Sequence, residues 1–172
     1  MKKEKHFGSL PYLVVILLSL VLGGCTTTTV APSLLTQTHN NTTRINKSVV
    51  VTAPINQHID RSEKVEESIK ESLDIALNNA NIFKKKTNKH YTIIATTTSF
   101  SQSPMSFGKF GNKLNVNYKV YNENMKLIIN ESIFTIGESD KWFFAGIKRA
   151  QRARAVNIAK NVNQFMRKIQ KI

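Results

Sequence analysis

The one thiol of the chain is Cys25, and His39, His58 and His90 follow it at wide spacing. A zinc site needs three or four converging ligands, and none of these histidines has a carboxylate at ligand spacing, so no metal and no cofactor is expected. No serine sits in G-x-S-x-G, and Ser106-Phe107-Gly108-Lys109 has S-x-x-K spacing but lies in a predicted loop, without the S-D-N and K-T-G that complete that signature of an activated hydroxyl. Gly108-Lys109-Phe110-Gly111 lacks P-loop spacing and reads as a flexible connection between strands. The alternative there is a binding loop, because Met105, Phe107 and Phe110 are large apolar side chains on a predicted surface loop. Asp60, Glu63, Glu66, Glu67, Glu71 and Asp74 crowd one stretch. Acids at a helix start favour the positive end of its macrodipole, whereas a catalytic pair would need a cleft and a raised pKa. They read as a solvated helix start.

Anion recognition is better represented. From residue 145 to the carboxy terminus there are eight Lys/Arg and no acid. Arg149, Arg152, Lys160, Arg167 and Lys171 share one face, and the planar arginine fork suits phosphate and carboxylate. These five are the candidate anion-binding residues, with a merely solvated surface as the alternative; one sign of charge favours binding. Arg154 lies nearer the apolar side of the same segment, where it is expected to pair with a buried acid such as Glu131 or to snorkel outward.

The elements that position these residues follow from periodicity. Val49-Val50-Val51-Thr52-Ala53, stopped by Pro54, predicts a strand buried on both faces. Asp60-Arg61-Ser62-Glu63 has capping-box spacing. A helix should follow to about Ile82, with Val65, Ile69, Leu73, Ala76, Ala80 and Phe83 as its apolar stripe and Lys84, Lys85, Lys86 and Lys89 closing it. Tyr91 to Thr98 is a Thr-rich strand, and residues 101–112 are a loop. Leu114, Val116, Tyr118 and Val120 alternate with polar partners, so residues 113–137 predict an antiparallel hairpin turning at Asn122-Glu123-Asn124. Its pattern slips near Asn130-Glu131, the expected place of a β-bulge. Trp142-Phe143-Phe144 should seal the sheet against the last helix or meet a membrane or partner. That helix spans about 145–171, with Ile147, Gln151, Ala155, Ile158, Val162, Phe165, Ile169 and Ile172 along one face. The order β-α-β-β-β-α predicts an α+β two-layer sandwich, a four-stranded sheet with two helices on one face.

The amino terminus supplies an address. Lys2, Lys3 and Lys5 precede a run of 13 almost wholly apolar positions, Leu10 to Leu22, which is too short to span a bilayer comfortably. Leu22-Gly23-Gly24-Cys25 resembles the lipobox of bacterial lipoproteins. The resemblance implies a signal peptide over 1–24, cleavage before Cys25, and acylation of Cys25, palmitate being a usual chain. Residue 26 is Thr rather than Asp, which in the sorting pattern of that family implies the periplasmic face of the outer membrane of a Gram-negative cell. The single membrane of a Gram-positive cell is the alternative. Residues 25–48 then form a lipidated cysteine and a Thr- and Asn-rich tether, with Leu34 and Leu35 able to dock on the domain. About 23 residues reach roughly 26 Å as a coil and roughly 76 Å extended. Residues 49–172 form the α/β domain.

The 172 residues and one cysteine exclude a large multidomain enzyme and an intrachain disulfide. The formal charge is +14, and removing the three Lys and one Glu of residues 1–24 leaves +12. Such a basic chain would suggest nucleic acid, but export removes that partner and leaves phospholipid headgroups, lipopolysaccharide phosphates or acidic envelope proteins. Loosely, the element order is similar to that of the lipoprotein subunit of the lipopolysaccharide translocon. The stretch Tyr118…Phe143-Phe144-Ala145-Gly146-Ile147-Lys148-Arg149…Asn157-Ile158…Phe165 resembles a group of small Gram-negative envelope lipoproteins. With no nucleophile, acid pair or ligand cluster, a non-enzymatic accessory lipoprotein is expected. An envelope enzyme, a wall or lipid hydrolase, is the alternative.

Overall fold

Strict alternation makes the hairpin. Leu114, Val116, Tyr118 and Val120 are all fully buried, and between them Asn115, Lys119 and their neighbours turn to the other side of β3, Phe110–Tyr121. The computed structural model describes residues 28–35, 45–59, 64–84, 87–102, 110–139 and 146–172. Within these, β1 is Ser48–Thr52, α1 is Val65–Ala80, β2 is His90–Gln102, β4 is Leu127–Ser139 and α2 is Gly146–Ile169. The sheet order is β1-β2-β3-β4. β1 is parallel to β2, and the other neighbours are antiparallel. The parallel pair needs a crossover, which α1 supplies. One hydrophobic cluster takes side chains from both helices and from one face of all four strands. The α+β two-layer sandwich with four strands and two helices is therefore the fold.

Several local expectations are corrected. The three valines do not make a strand buried on both faces: among the described residues only one side of the sheet is covered by helices, so Val51 enters the core at 6% exposure and Val49 packs against it, while Val50, pointing to the open side, stands 44% exposed. α1 ends at Ala80 with Asn81 in the left-handed region as its cap, and no basic residue lies in its last turn. Lys84 lies beyond the helix, its N–H donating to the carbonyls of Ile45 and Lys47. The proposed capping box at residues 60–63, and Lys85 and Lys86, lie outside the described residues. Both ends of the expected 101–112 loop are strand, because β2 runs on to Gln102 and β3 already begins at Phe110, and residues 103–109 lie outside the described residues. The hairpin bulge falls at Ile128 rather than Asn130-Glu131: Val120 pairs with Ile129 and Tyr121 with Leu127. A second irregularity sits at Thr98 in β2.

α2 packs very close to β4 at Gly137. A Cβ built there would fall inside van der Waals contact of the Ala153 carbonyl oxygen and Asn157 Cβ, and 3.0 Å from Asn157 Cα. The far side of the sheet carries no layer of its own among the described residues, and Phe134 and Ile136 stand 55% and 43% exposed on it.

Candidate functional site

The helical period of α2 divides it sharply. Ile158, Val162, Phe165, Met166 and Ile169 are buried against the sheet and α1. Ile147 was expected on this stripe but is 65% exposed. A row of polar side chains runs beneath the helix. Asn157 Nδ2 donates to the Asn112 carbonyl at 3.0 Å and to its side-chain oxygen. Asn161 Nδ2 donates to the Ile133 carbonyl at 2.8 Å and to Thr135 Oγ1 at 3.0 Å. The Tyr118 hydroxyl donates to Asn161 Oδ1 at 2.7 Å, and the Tyr118 ring stacks on Phe165 with centroids 4.2 Å apart. Burial pushes the Tyr118 phenol well above its ordinary value, so it stays a neutral donor. This row is structural: every partner is protein, and it fixes how the helix sits.

On the outer side Arg152, Lys160, Arg167 and Lys171 are exposed and Arg149 is half-buried. At about 1.5 Å per residue, Arg149 to Lys171 covers about 33 Å. Lys160 Nζ donates to the Ile136 carbonyl at 3.1 Å, which holds it over β4. Lys168 meets Glu131 at 3.3 Å; both are exposed, so the pair contributes at most about 1 kcal/mol. Glu131 therefore serves Lys168 and not Arg154.

Arg154 instead reaches back to the amino-terminal segment. It is 4% exposed, its Nη1 donates to Thr28 Oγ1 at 2.7 Å, and its guanidinium lies 5.8 Å from the Phe100 ring centroid. Residues 28–35 are thus a docked strap and not part of a free tether. Thr28, Val30 and Leu35 are 3%, 4% and 2% exposed, and Val30 and Leu35 belong to the main core. Pro32–Leu34 form a 3₁₀ turn, and Asn163 Nδ2 donates to the Leu34 carbonyl at 2.9 Å. Of the two leucines expected to dock, Leu35 does and the Leu34 side chain stands 39% exposed; the docking of Thr28 and Val30 was missed. The sequence signal was the apolar beat of Val30 and Leu35 inside a Thr-rich segment, too short to stand out from coil. Where the strap crosses α2, a shallow concavity of about 390 Å³ is lined by Thr28, Thr29, Ala31, Lys148, Gln151 and Arg152 among others.

The remaining sequence candidates do not assemble. Glu66, taken as solvated, is 7% exposed and accepts the Asn56 N–H at 3.3 Å. Lys64–Glu67 and Lys70–Asp74 are exposed pairs on α1. Glu123 pairs with Lys47 at 3.5 Å; its carboxyl is held below the usual range, first by its own backbone N–H and then by Lys47. His58 and His90 are exposed at separate places, and no group that could hold a metal occurs among the described residues. Phe110 folds onto Ala150 and Ala153. Cys25, His39, Met105, Phe107 and Trp142-Phe143-Phe144 lie outside the described residues. A second concavity of about 520 Å³ between Val49, Leu77, Asn78, Phe83 and Lys84 offers, among the described residues, one cation and no nucleophile or acid. No described helix is long and apolar enough to cross a membrane.

No protein-family model and no curated protein matches the chain. Among solved structures it is similar to a minor lipoprotein of Acinetobacter baumannii, at 12% identity over 73% of this chain and 93% of that one, with a TM-score of 0.49. A protein of Xanthomonas campestris matches at 8% identity over 76% and 86% of the two chains, with a TM-score of 0.49. The rare lipoprotein B of Shewanella oneidensis matches at 12% identity over 73% and 97%, with a TM-score of 0.38. No residue role is carried over from any of them.

Proposed function

We propose that this chain is a non-enzymatic periplasmic lipoprotein, held to the outer membrane by acyl chains on Cys25. Its basic helix docks it to an anionic lipid, a glycolipid or an acidic partner as an accessory or assembly subunit of an envelope complex. The observation that carries this reading is the one-signed outer face of α2: Arg152, Lys160, Arg167 and Lys171 stand exposed in a row with no acid on the helix. The ordered n-region, apolar run and Leu22-Gly23-Gly24-Cys25 support the anchor. Two or more acyl chains hold a protein on a bilayer where one alone binds only marginally.

Two measurements test it together. Intact mass of the purified protein should show acyl mass on Cys25, and Cys25→Ser should leave an unprocessed or unanchored chain; a bare thiol in the wild type ends the lipoprotein reading. Reversing Arg149, Arg152 and Lys160 to Glu should abolish salt-sensitive retention on anionic vesicles or lipopolysaccharide with the fold intact. Retention in the variant equal to wild type would reduce the charge to solvation.

A further inference from the structure

We infer that the concavity between the strap and the first turns of α2 is a phosphodiester subsite for phospholipid headgroups, and that this end of the helix alone faces the bilayer. The inference rests on acylation of Cys25. Three peptide steps separate Cys25 from Thr28, so the anchor lies within about 11 Å of a residue pinned to Arg154. The strap has a direction along the helix. Thr28 shares the concavity with Lys148 and Arg152, while Leu34 reaches Asn163. Followed back toward Cys25, the strap therefore runs toward the amino end of α2. Lys148 and Arg152 lie beside its membrane end, and Lys171 lies about 35 Å further along the axis. Docking of the strap thus excludes a domain standing off on 23 free residues.

The chemistry of the concavity fits a phosphodiester. Lys148 and Arg152 are exposed and one helical turn apart, and Thr29 is exposed on the facing strap. Among the described residues no carboxylate lines the space. An ammonium supplies a point charge and a guanidinium a planar fork, the two donor types that recur around phosphate. Within such a short reach of an acyl anchor, the surrounding anions are the headgroups of the anchor's own leaflet.

Because Cys25 is the one cysteine and would be acylated, an introduced cysteine can be labelled selectively. Lipidated full-length protein carrying a fluorophore at Ile147→Cys or at Lys171→Cys is reconstituted into phosphatidylcholine vesicles, with or without phosphatidylglycerol, containing a headgroup-borne quencher. The label at 147 should be quenched on the anionic vesicles and the label at 171 should not. Lys148→Ala with Arg152→Ala should lower the ratio of bilayer-docked to undocked domain on the acyl-anchored protein, read from quenching of the label at 147, about 30-fold on anionic vesicles, at roughly fivefold per basic residue. High salt should do the same, and Lys148→Arg with Arg152→Lys should keep the effect. Equal quenching at both ends, or an unaltered ratio in the double alanine variant, overturns the inference while leaving the lipoprotein reading standing. A bare thiol at Cys25 by intact mass fails the underlying reading instead. Loss confined to vesicles carrying lipopolysaccharide, with phosphatidylglycerol unaffected, overturns the headgroup assignment.

Discussion

Adding a single methyl group at Gly137 should unfold this protein far more readily than its size suggests. Gly137 does not have positive φ, so alanine is compatible with its backbone. On chain entropy alone the change would stabilise by about 0.4–1 kcal/mol. The structure predicts the opposite sign. The new Cβ meets the Ala153 carbonyl oxygen and Asn157 Cβ and Cα, and trimming Asn157 to Ala leaves all of these in place. Only a shift of α2 away from β4, on the order of 1 Å, restores ordinary contact near 3.5 Å. That shift would stretch the 2.8 Å Asn161–Ile133 and 3.0 Å Asn157–Asn112 bonds beyond bonding range. Overpacking costs about 1–3 kcal/mol, and a buried polar group left unpaired costs about the same again. The net loss is about 2–5 kcal/mol, or about 8–20 °C in Tm for a domain of this size. Thermal unfolding by circular dichroism and a urea titration with unchanged slope measure it. A Gly137→Ala protein as stable as wild type, or more so, would refute the close helix–sheet contact.

Ile158 is fully buried, so Ile158→Asp should cost several kcal/mol and leave little folded protein by circular dichroism; an unchanged melting curve would sink the assignment of that face. The folded-state pKa of Tyr118 is raised above the ordinary 10.0, so its contribution is fully present below pH 10 and is lost as the unfolded phenol ionises above it. Ultraviolet titration should therefore find one tyrosine that ionises only as the protein unfolds in alkali, and Tyr118→Phe should abolish that signal. Val50→Thr on the open face should change the urea midpoint by no more than about 0.5 kcal/mol equivalent. Val51→Thr, which buries a hydroxyl, should cost about 1–3 kcal/mol, and equal effects at the two sites would contradict the one-sided burial of β1.

What the sequence disclosed was whatever depends on period alone. The β3 row from Leu114 to Val120 and the buried stripe of α2 were legible because two-fold and 3.6-fold repeats are local properties. Burial that depends on a distant partner was not. Three valines in a row look alike whether a sheet is covered on one face or on two, and the side on which the helices pack decided between Val50 and Val51. Ile147 keeps the apolar step of its helix yet stands exposed. The bulge was displaced from Asn130 to Ile128 because polarity slips one or two residues after the backbone does. Arg154 was recognised as out of place on its helix, but its partner Thr28 lies 126 positions away in a segment whose composition reads as coil. The basic row from Arg149 to Lys171 was visible as a face, whereas its position relative to the strap required the fold.

The docked strap also sets the order in which the molecule can be completed. Ribosomes emit roughly 5–20 residues per second, so Thr28 waits on the order of 6–25 s before Arg154 exists to receive it. Until then the inward row of β3 and the apolar side of α1 have no lid, and a chain cut short anywhere before residue 146 leaves them bare. Closure joins residues 126 and 129 positions apart, among the described residues a highly non-local contact and hence a slow one to find. A half-made or half-exported copy is therefore a substrate for proteolysis, and only a copy whose last helix has arrived draws its own amino terminus shut.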